Sequence, residues 1–183
     1  EKCLMRSRSK PLHWDRDVDG PRLVLTSSVV NTVERRIPLC SGGVLRENVL
    51  YIAGFILPTV RVGVTVIAPQ CVTGPGFYRT DADDHADVMA ALMACRLHIV
   101  AQVHCHPGRG VSHSEIDDEE AIVRADGHWS VVVPHYGLHG ILPLTQCGIH
   151  CYTQGEFRRL DGRAIATRVS IIPDWIDMRG DER

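Results

Sequence analysis

Residues 104–117 of this chain include four side chains whose types and spacing suit a metal site that activates water. His104 and His106 supply imidazole nitrogens, Asp117 a carboxylate and Ser114 a hydroxyl. Two nitrogens and one carboxylate oxygen bind zinc in catalytic centres, which leave the fourth position open. Bound zinc lowers the pKa of water to about 7 and polarises a substrate carbonyl. The sequence therefore predicts a hydrolytic zinc centre.

Two ordinary explanations compete with this metal site. The chain has ten histidines in 183 residues, so a His-x-His pair carries little weight alone. Ser114 and Asp117 also have a spacing close to that of a helix capping box, whose side chains satisfy backbone N–H groups at a helix start. The combination is more specific, because Pro107, Ser114 and Asp117 all stand at fixed distances from the histidine pair. We favour the metal site, with a cap-only role as the alternative.

The local sequence explains how the ligands could converge. Residues two apart on a strand point to the same face, so His104 and His106 project together from a strand end. Cys105 then faces the packed side. Pro107 cannot continue the strand ladder and turns the chain outward. A short helix is expected over residues 114–124, and its first turn brings the acidic ligand back to the histidines.

The rest of the chain predicts strands and helices in mixed order. Patterns of β-branched and apolar residues predict strands at residues 23–25, 46–57, 62–68, 99–104, 130–133, 148–153 and 168–172. Because strict strand–helix–strand alternation is absent, the expected fold class is α/β (α+β), a curved mixed β-sheet flanked by helices.

Two further helices are expected. The first follows a cap at Ser27 or Ser28 and runs to about residue 36. The second covers residues 81–98, with acidic residues in its first turn. Its predicted apolar face consists of Val88, Ala91, Leu92 and Cys95.

Length and charge limit the class of protein. One domain is expected over residues 21–173, between a polar N-terminal arm (1–20) and a charged C-terminal tail (174–183). The chain has 20 basic and 22 acidic residues and no basic run, so we expect no nucleic-acid partner. The longest apolar run, residues 49–60, is too short to cross a bilayer, so we expect no membrane span.

The seven cysteines are an odd number and scattered. We interpret them as reduced, buried thiols of a cytoplasmic protein. Cys147, His150 and Cys151 could suggest a second zinc site. Strand alternation places the two cysteines on one face and His150 on the other, so a packed strand is favoured.

The metal loop resembles the signature of a known family. The motif H-x-H-P occupies residues 104–107, and the motif S-x-x-D occupies residues 114–117. The seven residues 107–113, counted from the proline, separate His106 from Ser114. This pattern resembles the signature of the JAMM zinc metalloproteases, also called MPN+ or JAB domains. The segment E-N-V-L-Y-I-A-G at 47–54 resembles the glutamate-to-glycine strand of that family, and residues 129–137 are similar to bacterial members found with ubiquitin-like conjugation systems. The resemblance spans about residues 22–155. One departure is Cys105, where the family often has Ser or Thr.

The resemblance implies a curved sheet like that of cytidine deaminases and a zinc isopeptidase or peptidase activity. His104, His106 and Asp117 would hold one Zn²⁺. Glu47 would be the general base that moves a proton from the attacking water to the leaving amine. The alternative is that Glu47 is an ordinary carboxylate at a strand end. Ser114 would donate a hydrogen bond to the tetrahedral oxyanion.

The resemblance also implies a substrate with a flexible C-terminal tail from a ubiquitin-like or carrier protein, with conjugating or activating enzymes as further partners. Such a tail could bind in extended form along a sheet edge. Residues 69–81 and 134–146 could form the walls of that groove, or could be plain surface loops. The alternatives are a processing peptidase for a sulfur-carrier protein and a non-catalytic scaffold. His113 and His135 could support the metal ligands from outside or contact substrate, but solvated loop histidines are the favoured interpretation.

Overall fold

An eight-stranded sheet carries the fold of residues 20–176, the part of the chain described by this computed structural model. Its strands and those of two small hairpins are, in chain order, β1 (Arg22–Thr26), β2 (Leu39–Ser41), β3 (Val44–Arg46), β4 (Val49–Ile56), β5 (Val60–Ile67), β6 (Val72–Gly74), β7 (Phe77–Arg79), β8 (His98–Cys105), β9 (Trp129–Val133), β10 (Gly148–Thr153), β11 (Glu156–Arg159) and β12 (Val169–Ile172). The helices are α1 (Ser27–Arg36), α2 (Ala82–Cys95), α3 (Glu115–Glu119) and α4 (Gly162–Arg168).

The strand order across the sheet is β11-β10-β9-β8-β4-β5-β1-β12. The pairs β8–β9, β1–β5 and β1–β12 are parallel and the remaining pairs antiparallel. The sheet curls into a half-barrel with helices against it. This confirms the predicted fold class, a curved mixed sheet flanked by helices.

Helix α2 packs against the sheet through a narrower stripe than the sequence predicts. Val88 and Leu92 are buried among residues of β4 and β8, whereas Ala91 and Cys95 are exposed. The predicted four-residue apolar face is therefore wrong at two positions. The helix also ends at Cys95, because Arg96 adopts a left-handed conformation (φ 55°) and its N–H bonds back to the last turn.

Several predicted boundaries move for local reasons. Helix α1 is capped by the Thr26 hydroxyl, which accepts from the N–H of Val29, and neither Ser27 nor Ser28 is the cap. Helix α3 ends at Glu119 and does not continue to residue 124. The predicted loop over residues 134–146 contains two single 3₁₀ turns, His135–Gly137 and Leu144–Gln146.

The predicted strand over residues 46–57 is broken between β3 and β4. The side-chain amide of Asn48 donates to the carbonyls of Arg36 and Ile37, and its oxygen accepts from the N–H of Val49. Glu47 instead donates its backbone N–H to Gly74 of β6, at 2.8 Å. The break leaves Glu47 outside the main sheet, beside Val49 of β4, which pairs with His104 of β8.

Two predictions concern the chain ends and the burial of the cysteines. The arm (residues 1–19) and residues 177–183 of the tail lie outside the described residues. Among the described residues, Cys105, Cys147 and Cys151 are buried free thiols, but Cys40 and Cys95 are exposed. In that same part of the chain no helix is both long and apolar enough to span a bilayer.

Candidate metal centre

The two histidines lie at the carboxyl end of β8, where the strand leaves the sheet. His104 is fixed in the ladder opposite Val49 on one side and Val132 on the other. His106 lies one step past the strand, and its N–H still bonds to the carbonyl of Val133. The intervening Cys105 is fully buried in the opposite core, as the alternation predicts.

The three predicted ligands converge. Nε2 of His104 lies 3.3 Å from Oδ1 of Asp117, and Nε2 of His106 lies 3.4 Å from Oδ2. The ligand atoms of all three residues fall within 4.8 Å of one another. His104 is completely buried and Asp117 is 6% exposed, so water competes little for these atoms.

The hydrogen bonding around the histidines fits a metal site. Nδ1 of His106 lies 3.0 Å from the carbonyl of Gly110, which can only accept, so this nitrogen carries the proton and leaves Nε2 with a free lone pair. Nε2 of His104 is buried and has no hydrogen-bond partner among the described residues, despite its proximity to Asp117. A buried nitrogen of this kind requires an explanation, and a bound cation provides one. Two nitrogens with one carboxylate are a donor set that zinc accepts.

The charges favour an ionised Asp117 carboxylate facing a neutral His104 imidazole. Burial alone would raise the pKa of Asp117, but its contacts with His104 and His106 hold that pKa well below the ordinary value. Burial lowers the pKa of His104, against the opposing effect of Asp117. For His106, the effect of burial is outweighed by the neighbouring carboxylate of Asp117, so its pKa is raised.

Ser114 and Asp117 do form a capping box at the start of α3, as the alternative predicted. The Asp117 N–H donates to the Ser114 hydroxyl at 3.1 Å, and the Ser114 N–H donates to Oδ2 of Asp117 at 2.7 Å. The Ser114 hydroxyl donates to the same oxygen at 2.8 Å. The cap does not exclude the metal site, because it fixes the carboxylate with its oxygens directed at both histidines.

Glu47 lines the same cleft as His106, Ser114 and Asp117, a space of about 350 Å³. It is only 8% exposed. Burial raises the pKa of the Glu47 carboxyl, a shift that the charge of His106 opposes and that of Asp117 reinforces. The structure thus brings together all five residues that the sequence singled out.

The hairpin β6–β7 forms one wall of the cleft. Gly76, Phe77 and Tyr78 line it, so part of residues 69–81 forms a wall of this cleft. The ring of Tyr78 is nearly buried, with its centroid 5.6 Å from that of His104. No residue of 134–146 is among the lining residues. That segment supports the wall indirectly, since the Tyr136 hydroxyl donates to the carbonyl of Pro75 at 2.7 Å.

His113 is the residue whose surroundings the sequence analysis missed. Its side chain is 5% exposed, so it is not a solvated loop histidine. Its ring nitrogens contact Asp118 at 2.8 Å and Ser130 at 2.7 Å. Burial, and next the charge of His104, lower its pKa. Spacing could not reveal these contacts, because Ser130 is far along the chain.

The other candidates of the sequence analysis lie apart from the site. His135 is half-buried and does not line the cleft. Cys147 and Cys151 are buried in the core on one face of the sheet, and across residues 20–176 the only cluster with metal-binding geometry is that of His104, His106 and Asp117. The structure therefore gives no second zinc site among these residues.

Comparison with known proteins gives structural likeness alone. No protein-family model matches the chain, and no curated protein matches it. The solution structure of protein DSY2949 from Desulfitobacterium hafniense is similar, with a TM-score of 0.58 at 12% identity over 82% of this chain and 92% of that one. The crystal structure of AF2198, a JAB1/MPN domain protein from Archaeoglobus fulgidus, gives a TM-score of 0.42 at 15% identity over 78% and 98%. The first likeness shows a shared fold.

Proposed function

We propose that this protein is a zinc-dependent isopeptidase or peptidase that cleaves the amide bond after the C-terminal tail of a ubiquitin-like protein. One observation carries the proposal: His104, His106 and Asp117 converge in a cleft that also holds Glu47 and Ser114. The spacing of these residues, which resembles the JAMM signature, supports the choice of reaction. A non-catalytic scaffold requires neither the convergence nor the cleft.

The two histidines and Asp117 would hold the ion. Zn²⁺ bound there would supply Lewis acidity, activating water and polarising the scissile carbonyl. The chain contributes the fixed ligand positions: β8 holds His104, the Gly110 carbonyl orients His106, and the cap at Ser114 orients Asp117.

Glu47 would be the general base. Its carboxylate takes a proton from the attacking water and passes it to the departing amine, a substrate lysine in an isopeptide. Its position suits this role because the break before β4 leaves it facing the cleft and largely shielded from solvent.

Ser114 would stabilise the oxyanion of the tetrahedral intermediate. Its hydroxyl turns from Asp117 toward the substrate, while the backbone N–H of Ser114 keeps its own bond to the carboxylate. A donor aimed at developing negative charge is typically worth about 3–4 kcal/mol in the transition state.

The wall of the cleft suits an extended peptide. Strand β7 pairs only with β6 in the described part of the chain, so its other edge has no strand partner there. Phe77 and Ile116 line the cleft and are 47% and 65% exposed. Backbone bonds to a strand edge and apolar contacts alongside are the means by which extended tails bind.

A cleavage assay tests the proposal. Ubiquitin-like proteins and a sulfur-carrier protein, each fused through its tail to a reporter, are incubated with zinc-loaded protein, with and without a chelator. We expect chelator-sensitive cleavage of at least one ubiquitin-like fusion. Glu47→Gln should abolish turnover while binding zinc like the parent, and Glu115→Gln, an exposed neighbour of the site, is the matched control.

The outcomes separate the parts of the proposal. Turnover by Glu47→Gln would remove Glu47 as the base. Cleavage of the sulfur-carrier fusion alone would replace the substrate class. A zinc-loaded protein that cleaves none of the fusions would contradict the isopeptidase assignment.

A further inference from the structure

A chain of three hydrogen bonds runs from the half-exposed Asp118 on helix α3, through His113, to the buried centre of the sheet. Nδ1 of His113 lies 2.8 Å from Oδ1 of Asp118, and Nε2 lies 2.7 Å from the Ser130 hydroxyl. That hydroxyl in turn lies 3.3 Å from the side-chain nitrogen of Gln102. We name these four residues, Gln102, His113, Asp118 and Ser130, the loop anchor.

The direction of each hydrogen bond follows from the chemistry of the groups. An ionised carboxylate only accepts, so Nδ1 of His113 carries the proton that it donates to Asp118. In a neutral imidazole Nε2 is then an acceptor, and the Ser130 hydroxyl donates to it. The same hydroxyl accepts from the amide of Gln102. The three hydrogen bonds share one consistent set of donors and acceptors, which restrains the four side chains. The side-chain oxygen of Gln102 has no hydrogen-bond partner among the described residues.

The Asp–His–Ser order is that of a hydrolase triad, but burial excludes a nucleophilic role. Ser130 lies on β9 with no exposed surface. It does not line the cleft in which the ligands converge. The anchor must therefore act through the residues that it holds in place.

The anchor brackets the metal site along the chain. His113 immediately precedes Ser114, and Asp118 immediately follows Asp117. At the other end, Gln102 lies two residues before His104 on the same face of β8. The anchor thus ties the loop that carries the acidic ligand to the strand that carries the first histidine.

Packing strengthens the connection. The ring of His113 stacks on Phe157, with centroids 4.4 Å apart. Its edge also meets the ring of His104, at 5.4 Å between centroids. His113 is therefore held from the side of β11 while it restricts rotation of a buried ligand.

We propose that His113, fixed by Asp118 and Ser130, is a positioning residue that sets the distance between Asp117 and the two histidines and so determines zinc affinity. The inference rests on the proposed zinc site and adds residues outside the ligand set. Outer contacts that orient metal ligands typically contribute about 10–100-fold in affinity or activity.

The test measures zinc affinity by competition with a chromophoric chelator, and the visible spectrum of the Co²⁺-substituted protein. Asp118→Ala removes the acceptor from a half-exposed helix position, and Asp118→Asn retains an accepting oxygen. His113→Phe keeps the stacking on Phe157 and loses both hydrogen bonds. Glu115→Ala, which removes a carboxylate from the same helix, is the matched control.

We expect Asp118→Ala and His113→Phe each to weaken zinc binding about tenfold and to alter the cobalt spectrum. The double variant should lose no more than the worse single variant, because both remove one anchor. Asp118→Asn should restore most of the affinity, and Glu115→Ala should match the parent.

Three results would overturn the inference. Parental zinc affinity and cobalt spectrum in folded Asp118→Ala and His113→Phe would show that the anchor serves stability alone, while the zinc site itself would stand. Equal losses in Asp118→Asn and Asp118→Ala would show that charge, not the hydrogen bond, acts on the metal. A parent protein that binds no zinc would refute the proposed function and this inference together.

Discussion

The two faces of the central strands differ sharply in chemistry although both are buried. On the α1 side, Leu50, Val103, Val131 and Ile149 form an unbroken apolar row across β4, β8, β9 and β10. On the other face, the neighbouring positions in the same register are Tyr51, Gln102, Ser130 and His150. None of the eight is more than 3% exposed.

The difference assigns separate tasks to the two faces. Burial of apolar groups stabilises a fold, whereas a buried polar group costs free energy unless it is hydrogen-bonded. A row of buried polar groups beneath the metal loop is therefore expected to serve the site. We infer that the apolar face supplies stability and the polar face supplies position. The following predictions test this division.

The largest expected effect is on stability, from the apolar face. Ile149→Ala should lower the free energy of unfolding by about 2–5 kcal/mol, because it leaves a cavity in a packed core. Ile149→Val, the milder control, should cost about 0.5–1.5 kcal/mol. Urea unfolding measures both. Zinc affinity of the folded protein should not change, and a large loss of zinc affinity in Ile149→Ala would contradict the division.

The second-largest effect is expected on kcat, from Ser114 at the start of α3. Ser114→Ala should lower kcat about 100–1,000-fold through loss of the oxyanion donor. Loss of the cap should cost only about 1 kcal/mol of stability. Ser114→Thr, which keeps the hydroxyl, should recover most of both. A stability loss in Ser114→Ala with unchanged kcat would leave Ser114 as a cap alone.

A smaller effect is expected from pH. Burial, with the charge of Arg61, lowers the pKa of His128 to about 3. Between its ordinary pKa of about 6.5 and this value, the unfolded chain binds a proton that the folded chain does not. The titration of His128 therefore leaves the free energy of unfolding unchanged above about pH 6.5. Below that pH it lowers the free energy of unfolding by about 1.4 kcal/mol per pH unit.

Denaturant titrations of the zinc-free protein at pH 7.5 and 5.0 measure this dependence. His128→Phe should reduce the loss of stability between the two pH values by about 2 kcal/mol relative to the parent. An identical pH dependence in parent and variant would show that His128 does not contribute to it.

The smallest effect on stability is expected from a residue that packs on neither face of the sheet. Trp175, near the start of the C-terminal tail, is 70% exposed. Trp175→Ala should therefore change the free energy of unfolding by less than about 0.5 kcal/mol in thermal or urea unfolding. A loss of 2 kcal/mol or more would show that this side chain is packed in solution.

The sequence predicted that His104, His106 and Asp117 converge, because these residues are close in the chain. His104 and His106 share a strand face, and Asp117 lies in the first turn of the helix that follows the loop. Their spacing in the sequence therefore indicates that the three side chains lie near one another. The fold class was predictable from the mixture of strand and helix patterns.

Other features depend on partners that no local pattern reveals. The break that frees Glu47 comes from Asn48 bonding to the end of α1, and the anchor at His113 needs Ser130 from a distant strand. The exposed positions Ala91 and Cys95 of α2 reflect how little of that helix the sheet can cover. Such tertiary contacts override propensity and spacing.

X-ray absorption at the zinc edge, on protein reconstituted with one equivalent of zinc, tests the central claim most directly. We predict one bound ion per chain, with two imidazole nitrogens at about 2.0–2.1 Å and carboxylate oxygen at about 2.0–2.2 Å. In His106→Gln the signal of the second imidazole should disappear. Sulfur ligands, or a parent chain that takes up no zinc, would contradict the claim that His104, His106 and Asp117 form a catalytic metal centre.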